Sequence, residues 1–313
     1  MESLPVGRED VERAAGVIAG RLHRTPTLSC RTLGPHVFLK AELLQRTGSF
    51  KPRGVLTKLA SLTPEEKARG VIAASAGNHA AALAFGAALE EIDALVVMYQ
   101  GASEVKLRAV EGYGATIDLE ATGSGDVFER LDTLQEKTGR VLVHPFDDPL
   151  VIAGQGTVGL EILEDVHEVE RILVPCGGGG LFSGIAAAAE GVDVEVVPIE
   201  PENSRALHAA FEAGETMRVE AGSIADGLNA PFAGELALSS ARALEVEPVL
   251  VTEAELAEGF RFLYQRAKLA CEPAGAAAVA ALLAGKVETD RTVCVVSGGN
   301  VAGPTAAGIL ASP

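Results

Sequence analysis

Tryptophan is absent from this 313-residue chain, and its aromatic residues are only ten Phe and three Tyr. An aromatic-filled sandwich is therefore not expected, and the 35 glycines point instead to backbone packed closely against backbone. Cysteine is also scarce. The four that occur lack CxxC or CxxH spacing, which argues against a zinc site and a disulfide framework. They are Cys30, Cys176, Cys271 and Cys294.

Long apolar runs and an excess of positive charge are missing as well. No stretch approaches the roughly 18 apolar residues of a membrane span. The first residues, MESLPVGRED, have no basic start followed by an apolar core, as a signal peptide would. Lys and Arg number 26 against 43 Asp and Glu, a net charge of −17, which disfavours nucleic acid and anionic membranes as partners. We expect a cytoplasmic protein that binds a small molecule.

The chain alternates short β-branched runs with segments of helical period. RILVPC at 171–176 and VEVVPIE at 194–200 are typical of strands, and NHAAALAFGAALE at 78–90 is typical of a helix. Strands that alternate with helices predict parallel sheets covered on both faces, so the fold class is α/β. In such sheets ligands bind beyond the carboxyl ends of the strands, where the chemistry is expected.

One strand end carries four consecutive glycines, Gly177, Gly178, Gly179 and Gly180, between RILVPC and a helical segment. Bare backbone N–H groups at a helix start form a cradle for an anion such as phosphate. A flexible turn is the simpler alternative, but four glycines carry a conformational-entropy cost that an ordinary turn does not require. No Lys-Ser/Thr follows them, so the nucleotide P-loop pattern is not met.

A second cluster is GSFKPRG at 48–54, where Pro52 predicts a helix start directly after Lys51. The helix dipole disfavours a charged amine there, which favours the lowered pKa that a Schiff-base lysine needs. A solvated surface lysine would be the simpler interpretation of this residue alone. Together with a phosphate cradle, however, a sequestered lysine indicates pyridoxal 5′-phosphate (PLP).

Two further clusters follow strands. SAGNHAA at 75–81 joins a strand to an Ala-rich helix, whose first N–H groups could hold a substrate carboxylate with Ser75 and Asn78. His79, taken alone, is more typical of a structural side chain than of a base. SGGN at 297–300 ends the last strong strand and puts the hydroxyl of Ser297 at the same edge of the sheet.

These motifs resemble those of the fold-type II PLP enzymes, and within them the serine/threonine dehydratase and serine racemase group. They occur in the family's order: GSFKPRG, SAGNH, HPFDDPLVIAGQGT at 144–157, CGGGGL, IADG at 224–227, EPAGA at 272–276 and SGGN. The resemblance implies two parallel-sheet α/β domains of the tryptophan synthase β-like type. The larger would comprise 1–69 and 148–313, and a smaller mobile domain, 70–147, would close over the substrate. A homodimer or homotetramer is also implied.

The resemblance further assigns roles to single residues. Lys51 would form the Schiff base with PLP and would act as the base that removes the α-proton. The other cofactor contacts would be Phe50, Asn78, Gly177, Gly178, Gly179, Gly180, Leu181, Gly227, Glu272 and Ser297. The substrate carboxylate would be bound by Ser75, Gly77, Asn78 and His79.

Three departures from the family pattern narrow the activity. Racemases of the group typically have SSGNH, whose second Ser is the acid/base opposite the lysine, whereas this chain has Ala76. Phe146 replaces an Asn usual in racemases and is more similar to threonine dehydratases. The group's divalent-cation site pairs a Glu with an Asp six residues later, but Glu200 is followed by Ala206, so no metal is predicted. We expect an L-threonine/L-serine dehydratase, an ammonia-lyase that yields 2-oxobutyrate or pyruvate.

Other activities stay open at this point. A dehydratase of 3-hydroxyaspartate or of another β-hydroxy amino acid, or a serine racemase, would use the same motifs. In a different class, GQGTVG at 154–159 matches the GxGxxG of nicotinamide-dependent oxidoreductases, although the strand RILVPC that follows ends without an acidic residue. A non-catalytic PLP carrier would lack the carboxylate-binding cluster that is intact here.

Overall fold

The computed structural model describes residues 3–101, 104–123 and 126–311. Within these ranges, ten strands form two sheets. The strands are β1 (Thr27–Ser29), β2 (Val37–Lys40), β3 (Val71–Ala74), β4 (Ala94–Tyr99), β5 (Thr116–Ala121), β6 (Val141–Leu142), β7 (Arg171–Pro175), β8 (Glu195–Pro201), β9 (Val249–Val251) and β10 (Thr292–Val295). The helices are α1 (Arg8–Ile18), α2 (Pro52–Ala60), α3 (Pro64–Arg69), α4 (Asn78–Leu89), α5 (Glu104–Glu111), α6 (Val127–Thr138), α7 (Pro149–Asp165), α8 (Gly180–Ala188), α9 (Ala206–Ala213), α10 (Glu235–Ala243), α11 (Glu253–Phe262), α12 (Ala277–Leu283) and α13 (Gly303–Ala311). No helix in the described ranges is long and apolar enough to cross a membrane.

The larger sheet has the strand order β1-β2-β10-β7-β8-β9. Its neighbours are parallel, except that β1 runs antiparallel to β2. Side chains alternate between two cores, because helices cover both faces: Leu173 packs with α11 and α12, whereas Ile172 packs with α8. The predicted α/β class is therefore confirmed. Strand β1 was not predicted, because three residues are too few to show a pattern.

The smaller sheet has the order β5-β4-β3-β6 and is parallel throughout. All its strands lie between Val71 and Leu142, inside the segment 70–147 that the family resemblance assigns to a small domain. The exact limits of that domain and its closing motion stay predictions.

The GQGTVG segment lies inside α7, so the residues directly before it are helical and do not form a strand and a turn. Its glycines serve helix packing, since a Cβ on Gly154 would lie 2.5 Å from the carbonyl oxygen of Arg53, and one on Gly156 would lie 2.5 Å from that of Gly184. Helix α7 therefore contacts both α2 and α8 through backbone. The nicotinamide alternative is wrong, because a dinucleotide motif requires a strand and a turn at this point.

Candidate active site

A cavity of roughly 1220 Å³ lies between the two sheets. Its wall includes the carboxyl ends of β3, β7 and β10 and the first residues of α4 and α8. The cavity is lined by every residue that the sequence analysis assigned to the cofactor or the substrate: Phe50, Lys51, Ser75, Gly77, Asn78, His79, Gly177, Gly178, Gly179, Gly180, Leu181, Gly227, Glu272 and Ser297. The structure thus brings all of them together, while their individual roles stay predictions.

Lys51 lies directly before α2, as the position of Pro52 predicts. Its Nζ donates to the carbonyl oxygen of Pro145 at 2.8 Å and lies 5.0 Å from the centre of the Phe50 ring. Among the described residues, no carboxylate forms an ion pair with this amine. Burial therefore lowers the pKa of Lys51 to about 8, and the charge of Glu272 opposes that shift only in part. Such an amine can lose its proton and act as a nucleophile or base.

The glycine run connects β7 to α8, which begins at Gly180. Gly179 has a φ of +89°, a left-handed conformation that favours glycine. A Cβ on Gly178 would lie 2.3 Å from the Phe146 ring, so a larger residue does not fit. In the described chain the N–H groups of Gly178 and Gly179 have no acceptor, and those of Gly180 and Leu181 lack one within the helix. Free donors at a helix N-terminus fit the phosphate of PLP.

Asn78, the first residue of α4, is held from two sides. Its Nδ2 donates to Glu272 Oε1 at 2.6 Å, and its Oδ1 accepts from Asn300 Nδ2 at 2.8 Å. Asn300 Nδ2 also donates to the carbonyl oxygen of Thr47 at 2.7 Å. Burial, aided by the charge of Asp226, raises the pKa of Glu272 to about 8. The contact of Asn300 with Asn78 was not predicted, because the two residues are far apart in the sequence and no local pattern joins them.

The other members of the SAGNH cluster form the entrance to α4. Ser75 Oγ accepts from the N–H of Gly77 at 3.2 Å, which fixes the turn before the helix. The His79 side chain is 2% exposed, and its Nε2 donates to the carbonyl oxygen of Val143 at 2.8 Å. Burial, with the nearby charge of Lys51, lowers the pKa of His79 to about 3. His79 can therefore offer a substrate its backbone N–H, while its imidazole stays neutral in the core.

Ser297 follows β10 and is 3% exposed. Its carbonyl oxygen accepts from the N–H of Phe50 at 3.2 Å, which connects this strand end to the segment before Lys51. Within the ranges described, the Ser297 hydroxyl has no hydrogen-bond partner. A hydroxyl on the cavity wall that makes no hydrogen bond within the described chain fits a ligand atom that can hydrogen-bond to it.

Further side-chain contacts connect the parts of the chain that carry the two sheets. Lys106 on α5 forms an ion pair with Asp226 at 2.6 Å. The Phe232 ring centre lies 5.5 Å from that of Phe128 on α6 and 5.6 Å from that of Phe146. All five residues except Phe232 line the cavity. The sequence analysis missed these contacts, since each joins residues that are far apart in the chain.

Glu200, the remaining residue of the cation pattern, is fully buried in β8. Its Oε1 accepts from the N–H of Leu207 and its Oε2 from the N–H of His208, both at 2.8 Å. The carboxylate thus binds the first turn of α9. In the part of the chain that the structure describes, no group of three or more His, Cys, Asp or Glu could hold a metal ion.

A lysine of lowered pKa, a glycine loop with free donors at the end of β7 and a serine hydroxyl that follows β10 together fit one cofactor, PLP. The chain belongs to the family of pyridoxal-phosphate dependent enzymes, whose family model matches residues 18–298. The resemblance stated from the motifs, and the cofactor that it implies, are confirmed.

Named relatives and solved structures are similar to nearly the whole chain. The chain is 42% identical over 310 residues to the catabolic L-threonine dehydratase TdcB of Escherichia coli K12, covering 95% of this chain and 94% of that protein. It is 41% identical to the L-threonine ammonia-lyase of Thermotoga maritima, over 94% of this chain and 75% of the relative. Among solved structures, maize serine racemase is similar with a TM-score of 0.91 and 34% identity, covering 96% and 95% of the two chains. A threonine deaminase from T.th. has a TM-score of 0.87 and 38% identity, covering 95% and 99%.

Proposed function

We propose that this protein is a PLP-dependent L-threonine/L-serine dehydratase, which eliminates water from its substrate and releases 2-oxobutyrate or pyruvate plus ammonia. One feature of the cavity supports this most directly. The Lys51 amine lines the same cavity as the start of α4, where Ala76 stands between Ser75 and Gly77. The cavity thus has an amine base and a carboxylate site, but no proton donor at position 76. The names of the relatives support the same reaction.

The chain supplies binding and proton transfer in this reaction. PLP, when bound, supplies an electron sink that makes the α-proton of an amino acid removable. The free N–H groups at the start of α4, with the hydroxyl of Ser75, hold the substrate carboxylate. Lys51 accepts the α-proton in its neutral form, for which its lowered pKa prepares it.

Ser297 sets the choice between elimination and transamination. Ser297 would face the pyridine nitrogen of bound PLP; a hydroxyl, unlike a carboxylate, would not keep a proton there, and PLP would then be a weaker electron sink, which favours loss of the β-hydroxyl group. Ser297→Asp should therefore slow oxoacid release and increase transamination, measured side by side with L-threonine. Faster oxoacid release in this variant would contradict the argument.

Serine racemase is a second candidate, favoured by the likeness to the maize enzyme. Racemisation needs a second proton donor on the face opposite the lysine, and the methyl group of Ala76 cannot transfer a proton. Dehydration is therefore the better-supported activity. Threonine is favoured over serine on the resemblance of the HPFDDP motif, although one extra methyl group is worth only about 0.8 kcal/mol.

A substrate panel tests the proposal. L-threonine, L-serine, D-serine and threo-3-hydroxyaspartate are each incubated with the holoenzyme, and oxoacid and chiral products are measured together. We expect oxoacid from L-threonine and L-serine without appreciable D-serine. D-serine formed from L-serine faster than pyruvate would overturn the proposal. Ala76→Ser is the matched variant, and it should gain some racemisation.

The smaller sheet is also proposed to move. Residues 70–147 would close over the substrate, and the Lys106–Asp226 ion pair lies where that closure would seal the cavity. Small-angle scattering with and without a substrate analogue should detect the closure as a decrease in radius of gyration.

We further propose that the protein is cytoplasmic and forms a homodimer or homotetramer. Light scattering of the purified protein would test the oligomeric state.

A further inference from the structure

The segment 143–148 carries the chain from β6 to α7 and is anchored along its length. The carbonyl oxygen of Val143 accepts from His79 Nε2 at 2.8 Å. The carboxylate of Asp147 accepts two N–H groups at the start of α10, at 3.1 and 3.2 Å. Asp148 caps α7 in the same way, at 2.9 and 3.2 Å. The backbone between these anchors is therefore held in one conformation.

The His144 side chain accepts hydrogen bonds from backbone N–H groups of its own segment. Its Nδ1 accepts from the N–H of Phe146 at 3.3 Å and from that of Asp147 at 2.8 Å. An Nδ1 that accepts must be unprotonated, with the ring hydrogen on Nε2. Burial lowers the pKa of His144, which favours this neutral ring. Since Pro145 has no N–H, the turn from residue 145 to residue 147 keeps no free backbone donor.

The turn therefore offers Lys51 a hydrogen-bond acceptor and no donor. The acceptor is the carbonyl oxygen of Pro145, which lies 2.8 Å from Lys51 Nζ. A neutral amine has two N–H donors and one lone pair. Donating to a carbonyl oxygen occupies one N–H and leaves the lone pair free. A free backbone N–H at this place would bind the lone pair and would compete with the proton or carbonyl carbon that Lys51 must reach.

We propose that His144 is a positioning residue for Lys51: by binding the N–H groups of Phe146 and Asp147, it keeps the turn a pure acceptor and fixes the Pro145 carbonyl that holds the lysine amine. The role rests on the proposed function of Lys51 as the reacting amine. His144 does not line the cavity, so it acts on the reactivity of Lys51 and not on the carboxylate site at the start of α4.

Two substitutions separate this role from simple packing. His144→Leu removes the acceptor, whereas His144→Asn keeps one in its side-chain oxygen. His144→Leu should lower kcat by about 10- to 100-fold, as a misplaced catalytic group does, with KM changed less than about twofold. His144→Asn should recover most of kcat. In the apoenzymes, the rate of PLP uptake, trapped on Lys51 with borohydride, should fall and recover in the same order. Wild-type rates for His144→Leu, or equal losses in both variants, would overturn the proposal.

A third measurement keeps the proposal testable if His144→Leu does not fold. The tautomer of His144 can be read in the wild-type protein from ¹⁵N NMR of histidine-labelled material, with the signal assigned by its loss in His144→Asn. An Nε2–H tautomer supports the role, and an Nδ1–H tautomer overturns it. PLP uptake and the tautomer involve no substrate, so an error in the proposed substrate would leave both readouts unchanged.

Discussion

Lys51 and Arg53 lie two residues apart at the start of one helix, yet their surroundings are opposite. The guanidinium of Arg53 is fully buried and makes four hydrogen bonds to carboxylates, to Glu42 at 2.8 and 2.9 Å and to Glu161 at 2.7 and 3.0 Å. The amine of Lys51 has a single acceptor, the Pro145 carbonyl, and no carboxylate partner in the described chain. One side of the helix start is therefore an ion network and the other a reactive site.

The difference teaches that the partner, and not burial alone, sets the charge state. Burial disfavours the charged form of both residues. The carboxylates of Glu42 and Glu161 more than offset it for Arg53 and raise its pKa further, so this charge is permanent. Lys51 has only the more distant charge of Glu272, and its pKa falls to about 8. The same helix turn thus holds one fixed charge and one titratable amine.

Removing Lys51, the reactive residue of the two, should have the largest effect on activity. Lys51→Ala should abolish the visible absorbance of covalently held PLP and should lower oxoacid release by about 10³-fold or more, because nucleophile and base are lost together. Absorbance after gel filtration and a dehydratase assay measure the two. Lys137→Ala, an exposed lysine on α6, is the control and should behave as wild type. If Lys51→Ala kept either the PLP absorbance or the dehydratase activity, Lys51 would not be both the Schiff-base residue and the base.

Removing Arg53, which is paired with carboxylates, should instead lower the stability of the fold. Arg53→Met leaves Glu42 buried without its partner and should cost about 3–5 kcal/mol of the free energy of unfolding. Lys51→Met leaves no carboxylate unpaired and should change that free energy by less than about 1 kcal/mol. Urea unfolding of the apoproteins, followed by circular dichroism, gives both values.

A partner variant sharpens this contrast. Adding Glu42→Gln to Arg53→Met should recover part of the lost stability, because the uncompensated buried charge is removed. Equal losses for the Lys51 and Arg53 variants would show that the ion network does not distinguish the two sites.

The pKa of Lys51 should appear directly in the pH dependence of its chemistry. Only the neutral amine attacks the PLP aldehyde, so uptake by the apoenzyme should rise with pH and level off above a midpoint near 8. Stopped-flow absorbance across a pH series at constant ionic strength measures it. A midpoint near 10.5, the ordinary lysine value, would contradict the lowered pKa.

The smallest effect should come from the carboxylate that acts on Lys51 at longer range. Glu272 in its ionised form raises the pKa of Lys51, so Glu272→Gln, which is neutral at every pH, should move the midpoint of PLP uptake to lower pH. The exposed Glu258, on α11, provides the control Glu258→Gln, which should leave the midpoint in place. A shift to higher pH in Glu272→Gln would contradict this electrostatic role.

What the sequence could predict depended on local patterns. Four glycines after an apolar run, and a lysine directly before a proline, are visible in a few letters, and they indicated a phosphate cradle, a helix start and the cofactor. The partners that tune Lys51 are not local. Pro145 comes from the segment after β6, and Asn300 reaches Asn78 from the far end of the chain, so only the folded sheets bring them together. The GQGTVG motif, in contrast, is local but led to a wrong alternative, a nicotinamide site, because closely spaced glycines also allow close helix packing.

The central position of β10 in the larger sheet governs the order in which the protein can be built. This strand pairs with both β2 and β7, yet it is the last strand of the described chain to leave the ribosome. The strands of the smaller sheet are contiguous from residue 71 to residue 142, so they can pair early in synthesis, while the larger sheet has a gap at its centre until β10 emerges. Ser297 follows immediately behind. A nascent chain stalled before residue 292 should therefore hold a smaller sheet but no complete site for PLP.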